Sequence, residues 1–199
     1  MINIDKAVSI DGWTDPAELV WLATQAQYHN NILEIGSWKG RSTRALADHT
    51  PGKVWAVDHW KGPNVDDYWT GPTSKEVWAD YEQFYYEVIK YGPEMVLGQF
   101  TANLSDLIDN DKIVIVMMDS HEAATTLLPT HQGFFDMIFI DGDHSYKQIK
   151  SDILDYLPLL APGGLFCGHD YTWDGVRQAV EESLVEFGVH YSIWYKEIK

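Results

Sequence analysis

Cysteine is nearly missing from this sequence. Cys167 is the only one in 199 residues, so no disulfide can form within the chain, and the usage suits a reducing compartment, the cytoplasm. Basic residues are scarce as well. Fourteen Lys and Arg stand against 30 Asp and Glu, a formal charge of −16. That balance favours solubility and argues against nucleic acid or an anionic membrane as partner. No apolar run approaches the length of a bilayer span. Met1-Ile2-Asn3-Ile4-Asp5-Lys6 lacks the basic and apolar segments of a signal peptide, so none is expected. There is no internal repeat, low-complexity tract or linker. The length fits one domain, 1–199, with a large core.

Two glycine signatures are lacking too. A dinucleotide fingerprint needs Gly-x-Gly-x-x-Gly, whereas this chain has Gly36-x-x-x-Gly40 with bulky Trp38 and Lys39 between. A P-loop needs Gly-Lys-Ser/Thr at a fixed distance from an earlier glycine, and that is absent. Nicotinamide oxidoreduction is therefore disfavoured. What the chain does have is Asn31-Ile32-Leu33-Glu34-Ile35-Gly36-Ser37-Trp38-Lys39-Gly40-Arg41-Ser42. It reads as a buried parallel strand, a glycine turn and the start of a helix, the geometry that brings a ligand against bare backbone and a helix N-terminus. Glu34 is an acid inside an apolar strand, and a buried carboxylate needs a partner.

Asp15-Pro16-Ala17-Glu18 carries the signature of a capped helix start. A second strand, Lys53 to Asp58, ends in an acid roughly 20 residues after the glycine turn, where βαβ units place a carboxylate for a ribose diol; the competing reading is a cap at the strand end. Residues 61–96 break the alternation. Gly62-Pro63-Asn64 and Thr70-Gly71-Pro72 are turn signals, and a helix from Lys75 to about Lys90 gathers Trp78, Tyr81, Phe84 and Tyr85 on one side. This aromatic-rich segment reads as a lid-like insertion over a ligand mouth. The same rings could pack against a second subunit, which leaves room for a homodimer.

Further on, the pattern predicts a helix over Gln99–Ile108, a strand over Lys112–Met118, a helix over Glu122–Leu128 and a strand over Phe135–Asp141. It then predicts a helix over Ile153–Leu160, a turn at Pro162-Gly163-Gly164, a strand over Leu165–Gly168 and a helix over Gly175–Phe187. A single edge strand over Val189–Tyr195 closes the chain. Such alternation means an α/β fold, a Rossmann-like doubly wound, mostly parallel sheet with helices on both faces. Ligands of such sheets sit at the carboxyl ends of the strands. The polar residues there are Glu34 with Gly36, Asp58 with His59, Asp119 with Ser120, Asp141 to His144, and His169 with Asp170. The last two groups combine carboxylates and imidazoles, a donor set suited to Mg²⁺ or, with imidazole, to Mn²⁺ and its neighbours.

Four stretches resemble the class I S-adenosylmethionine-dependent methyltransferases: Ile32 to Ser42, Val57-Asp58, Phe139 to Tyr146, and Leu160 to Gly164 with Gly168 to Tyr171. Within that superfamily the sequence is similar to the small-molecule O-methyltransferase branch with macrolide-sugar methyltransferases and cephalosporin-hydroxylase-like proteins. The resemblance implies S-adenosylmethionine as cofactor, held by Glu34, Gly36, Ser37, Gly40, Asp58, His59, Asp119, Ser120 and Asp141. In it Gly36 and Gly40 face the methionine part, Asp58 the ribose, and Asp119 and Ser120 the adenine edge. It further implies a metal held by Asp141, His169 and Asp170, with Mg²⁺ or Mn²⁺ the expected ions, and His144 with Asp141 as catalytic residues. His169 departs from the acid that metal-dependent relatives carry at its position. The expected activity is O-methylation of a small-molecule acceptor. The alternatives are a metal-independent methyltransferase, with nitrogen as a further target, and a cofactor-binding module without turnover.

Overall fold

The computed structural model describes residues 2–62 and 90–198; the aromatic helix expected over 75–90 therefore lies almost wholly outside the described residues. In chain order the elements are α1 (Asp5–Val8), α2 (Pro16–Ala26), β1 (Asn31–Ile35), α3 (Arg41–His49), β2 (Lys53–Asp58), α4 (Pro93–Asn103), α5 (Ser105–Asp109), β3 (Ile113–Met117), α6 (Ser120–His131), β4 (Phe135–Ile140), α7 (Tyr146–Tyr156), β5 (Leu160–Gly168), α8 (Asp174–Ser183), β6 (Gly188–His190) and β7 (Ile193–Glu197). The seven strands form one sheet in the order β3-β2-β1-β4-β5-β7-β6. Strands β1 to β5 run parallel, while β7 is antiparallel to β5 and to β6.

Each parallel strand alternates its side chains between two cores. Ile32, Val54, Met137, Phe139 and Cys167 face one, under α2, α3 and α4. Leu33, Ile35, Val57, Ile138, Ile140 and Phe166 face the other, under α6, α7 and α8. Burial on both faces is why these strands read as apolar runs rather than as alternating ones. The register then builds the functional edge. Ile35 pairs with Val57 and with Ile140, and Ile140 with Gly168. The residues just beyond these positions, Gly36, Asp58, Asp141 and His169, emerge side by side. No helix among the described residues is long and apolar enough to cross a membrane.

The structure departs from the sequence reading at several boundaries. The chain ends in a hairpin rather than one strand: β6 is only three residues long and turns back through Tyr191-Ser192, with Tyr191 at φ 54°. Three residues carry too little alternation to be seen. Helix α6 runs on through Pro129, whose missing N–H does not end the last turn. Helix α7 starts at Tyr146, capped by the Ser145 hydroxyl, seven residues before the first apolar position that signalled it. Strand β5 begins at Leu160, and Pro162-Gly163-Gly164 is a bulge within it, with Phe135 paired to Leu160 and Met137 to Leu165.

Candidate active site

A cavity of about 460 Å³ lies at this edge, within the range that holds a cofactor-sized ligand. It is lined by the β1–α3 turn, by the ends of β2, β4 and β5, and by the segment before α2. That segment is fastened by Arg41, whose Nε donates to the Thr14 carbonyl (2.9 Å) and whose Nη1 donates to those of Val8 (2.9 Å) and Ile10 (2.8 Å).

The glycine turn is built from within. Gly36 has φ 88°, and a Cβ there would lie 2.2 Å from the Asp141 carbonyl oxygen. Gly40, at φ 93°, is packed against Leu104 and Phe100. Both glycines are thus required by the protein's own chain, whatever binds next to them. Gly36→Ala is expected to lower stability by more than about 3 kcal/mol, strain at positive φ adding to the clash; thermal unfolding measures it, and an unchanged midpoint refutes it.

Glu34 lies under this turn rather than in the cavity wall. It is fully buried. Its Oε2 accepts from the hydroxyls of Ser37 (2.8 Å) and Thr43, while Oε1 has no hydrogen-bond partner among the described residues. Burial pushes its carboxyl up to about 7, the Asp141 charge adding to the rise and the Ser42, Thr43 and Ser37 hydroxyls opposing it. Glu34 therefore orders the turn through Ser37, which lines the cavity. Asp58 also fills the role of a cap: Oδ2 accepts from the Trp38 N–H (2.8 Å) and Oδ1 from that of Trp60 (2.6 Å). It lines the cavity together with His59, whose Nδ1 accepts from the Lys61 N–H (2.9 Å). Asp119 caps α6 through the His121 N–H (3.0 Å).

At the ends of β4 and β5 the structure brings Asp141, His144 and Asp170 together, with one possible ligand atom from each all within 4.8 Å of one another. His144 Nε2 lies 2.7 Å from Asp170 Oδ2, and its ring stacks on Trp173 at 5.0 Å. Burial pulls the His144 imidazole down, but Asp170, Asp141 and Asp143 outweigh it and raise its pKa. Burial raises Asp141. For Asp170 the hydrogen bonds from His144 and His169 overcome burial and hold its carboxyl low. Asp143 serves locally, accepting from the Ser145 N–H (2.6 Å).

His169 is placed differently from the expected ligand set. It is buried, and both ring nitrogens are engaged. Nδ1 lies 3.3 Å from Asp141 and 3.2 Å from Asp170; Nε2 lies 2.9 Å from Glu18 and 2.9 Å from the Ser192 hydroxyl. Burial opposes its charge, but the surrounding carboxylates raise its pKa strongly. It stands behind the two acids with both ring nitrogens against protein groups, and it is His144 that joins Asp141 and Asp170 in the cluster.

Sequence reasoning missed two groups. One is Glu18, which reaches from α2 to His169 and Ser192. The other is Gln148 with Asp152, which join Ser120, already expected at the adenine edge, on the cavity wall. There Asp152 Oδ1 accepts from Ser120 (2.5 Å) and Gln148 (2.9 Å), and burial pushes its carboxyl up to about 7. The spacing Gln148-x-x-x-Asp152, one helical face, was the available signal.

The methyltransferase-domain family matches residues 33–171. No curated protein matches the sequence. Among solved structures the chain is similar to the O-methyltransferase from Bacillus cereus in complex with SAH, with a TM-score of 0.63 and 17% identity over 98% of this chain and 90% of that one. A calicheamicin methyltransferase, CalS11, is similar at TM-score 0.62 and 19% identity, over 92% and 80% of the two chains. A caffeoyl-CoA O-methyltransferase homologue from Staphylococcus aureus is similar at 0.62 and 16%, over 94% and 85%. The family match spans most of the chain and takes in the ends of β1, β2, β4 and β5 at the cavity, so the chain belongs to the methyltransferase-domain family, with the Rossmann-like fold of these solved methyltransferases.

Proposed function

We propose that the protein methylates a hydroxyl of a small-molecule acceptor, with His144 as general base and a divalent ion held by Asp141 and Asp170. The observation that carries this reading is the meeting of Asp141, His144 and Asp170 at the cavity edge. Two carboxylates fit Mg²⁺ or Mn²⁺, and the imidazole beside them fits a base. The solved O-methyltransferases of the same fold support oxygen as the target.

When bound, S-adenosylmethionine supplies an electrophilic methyl on a sulfonium, and a metal at the two acids would lower the pKa of an acceptor hydroxyl. The chain's own residues do the rest. Asp170, 2.7 Å from His144 Nε2, orients the imidazole that takes the acceptor proton. Trp173 fixes the ring plane. Asp58 retains lone pairs for a ribose diol beyond the two backbone bonds it accepts, and Ser120 and Asp119 stand where an adenine edge would rest.

The test is the rate of S-adenosylhomocysteine formation over a panel of hydroxyl acceptors, with Mg²⁺, with Mn²⁺ and with a chelator. Chelation is expected to remove activity. Asp141→Asn is expected to cut turnover at least about 100-fold while cofactor affinity, read by calorimetry, stays within about 3-fold. The position of His169 favours a second reading, transfer without metal, because both acids already face a cation. Undiminished turnover in chelator would establish it, and cofactor binding without turnover on any acceptor would leave only a binding module.

A further inference from the structure

Seven aspartates line the cavity among the described residues, and Arg41 is the one Lys or Arg among them. It sits at the first position of α3, where a cation meets the positive end of the helix dipole and is disfavoured. Its guanidinium is partly buried, which lowers its pKa against the pull of Asp11 and Asp15. All three hydrogen bonds it makes go to neutral backbone carbonyls, and Nη2 has no partner among the described residues. A partly buried guanidinium with no carboxylate in hydrogen-bond contact among the described residues, in a wall otherwise rich in acids, is poised for an anion. The three carbonyls take Nε–H and both Nη1 hydrogens, so the two N–H groups of Nη2 are the ones left for a carboxylate.

The ligand proposed for this cavity carries three charges: a sulfonium, an ammonium and one carboxylate. The aspartates answer the first two. We infer that Arg41 receives the amino-acid carboxylate of S-adenosylmethionine and so sets the orientation of the cofactor's amino-acid end. This rests on the cofactor reading above. The same guanidinium fastens the segment from Val8 to Thr14, so carboxylate binding and that fastening share one group. An acceptor carboxylate is the other source of the same chemistry, and the choice of ligands below separates the two.

The experiment is calorimetry on the full chain with S-adenosylmethionine, its decarboxylated analogue and 5′-methylthioadenosine, for wild type, Arg41→Met and Arg41→Lys. Wild type should prefer S-adenosylmethionine over the decarboxylated analogue by about 10- to 100-fold, the effect of one charge-assisted hydrogen-bonded pair. Arg41→Met should lose that preference, Arg41→Lys should keep part of it, and methylthioadenosine, which lacks the amino-acid end, should bind all three proteins equally. Equal weakening of all three ligands in Arg41→Met would show a role in folding the cavity alone and overturn the inference. Wild type binding the decarboxylated analogue as tightly as S-adenosylmethionine would overturn it while sparing the cofactor reading. Wild type binding none of the three would overturn both.

Discussion

His144→Gln is expected to slow methyl transfer by about 10²- to 10⁴-fold, the usual worth of a positioned general base, with cofactor affinity within about 3-fold of wild type. The expectation rests on placement. His144 is held by Asp170 at 2.7 Å and by the face of Trp173, so removing the imidazole removes a proton acceptor without opening the cofactor end of the cavity. A variant with full turnover would end the base assignment. A second readout isolates Asp170. In the metal-free protein the His144 imidazole should titrate above its ordinary value, followed by its ring carbon-bound protons in NMR, because burial is outweighed by Asp170 and the other acids. Asp170→Asn should bring it down.

The strand ends were legible because two local signals coincide there. An apolar run of five or six residues ends in an acid or histidine, and parallel register aligns such ends without further information. Gly36, Asp58, Asp141 and Asp170 were found in this way. Their roles were less legible than their positions. Gly36 answers first to the Asp141 backbone, and Asp58 to the N–H groups of Trp38 and Trp60; these partners lie on other elements, and only the assembled turn shows them. Glu18 is the sharpest case. The Asp-Pro-Ala-Glu pattern revealed a capping box, and the structure has one. The same carboxylate also meets residues 151 and 174 positions away, which no local pattern encodes. The surroundings of His169 were hidden for the same reason: its contacts with Glu18 and Ser192 join elements far apart in sequence.

Glu18→Ala is therefore expected to be strongly destabilising. Glu18 Oε2 accepts from the Asp15 N–H (3.1 Å) and His169 Nε2, and Oε1 accepts from the Ser192 N–H (2.9 Å) and hydroxyl (2.6 Å). Its side chain is 5% exposed and that of His169 is 7% exposed. Removing one partner of a buried ion pair costs about 3–5 kcal/mol, roughly 6–20 °C in Tm for a chain of this size. Glu18→Gln, which keeps hydrogen-bonding oxygen and shape but not charge, should lose less. The pH dependence gives a sharper check. Burial opposes the Glu18 charge, but the bonds from His169 and Ser192 bring its carboxyl down to about 2 from 4.5. Its contribution is thus complete above about pH 4.5 and fades as pH falls toward 2. His169 has the opposite sign: its raised pKa makes its contribution complete below 6.5 and lost only as pH climbs through the folded value. The stability gap between wild type and Glu18→Gln should accordingly be widest between about pH 4.5 and 6.5 and close on acidification. A gap independent of pH would mean that Glu18 acts through packing and neutral hydrogen bonds, and that His169 carries no charge beside Asp141 and Asp170.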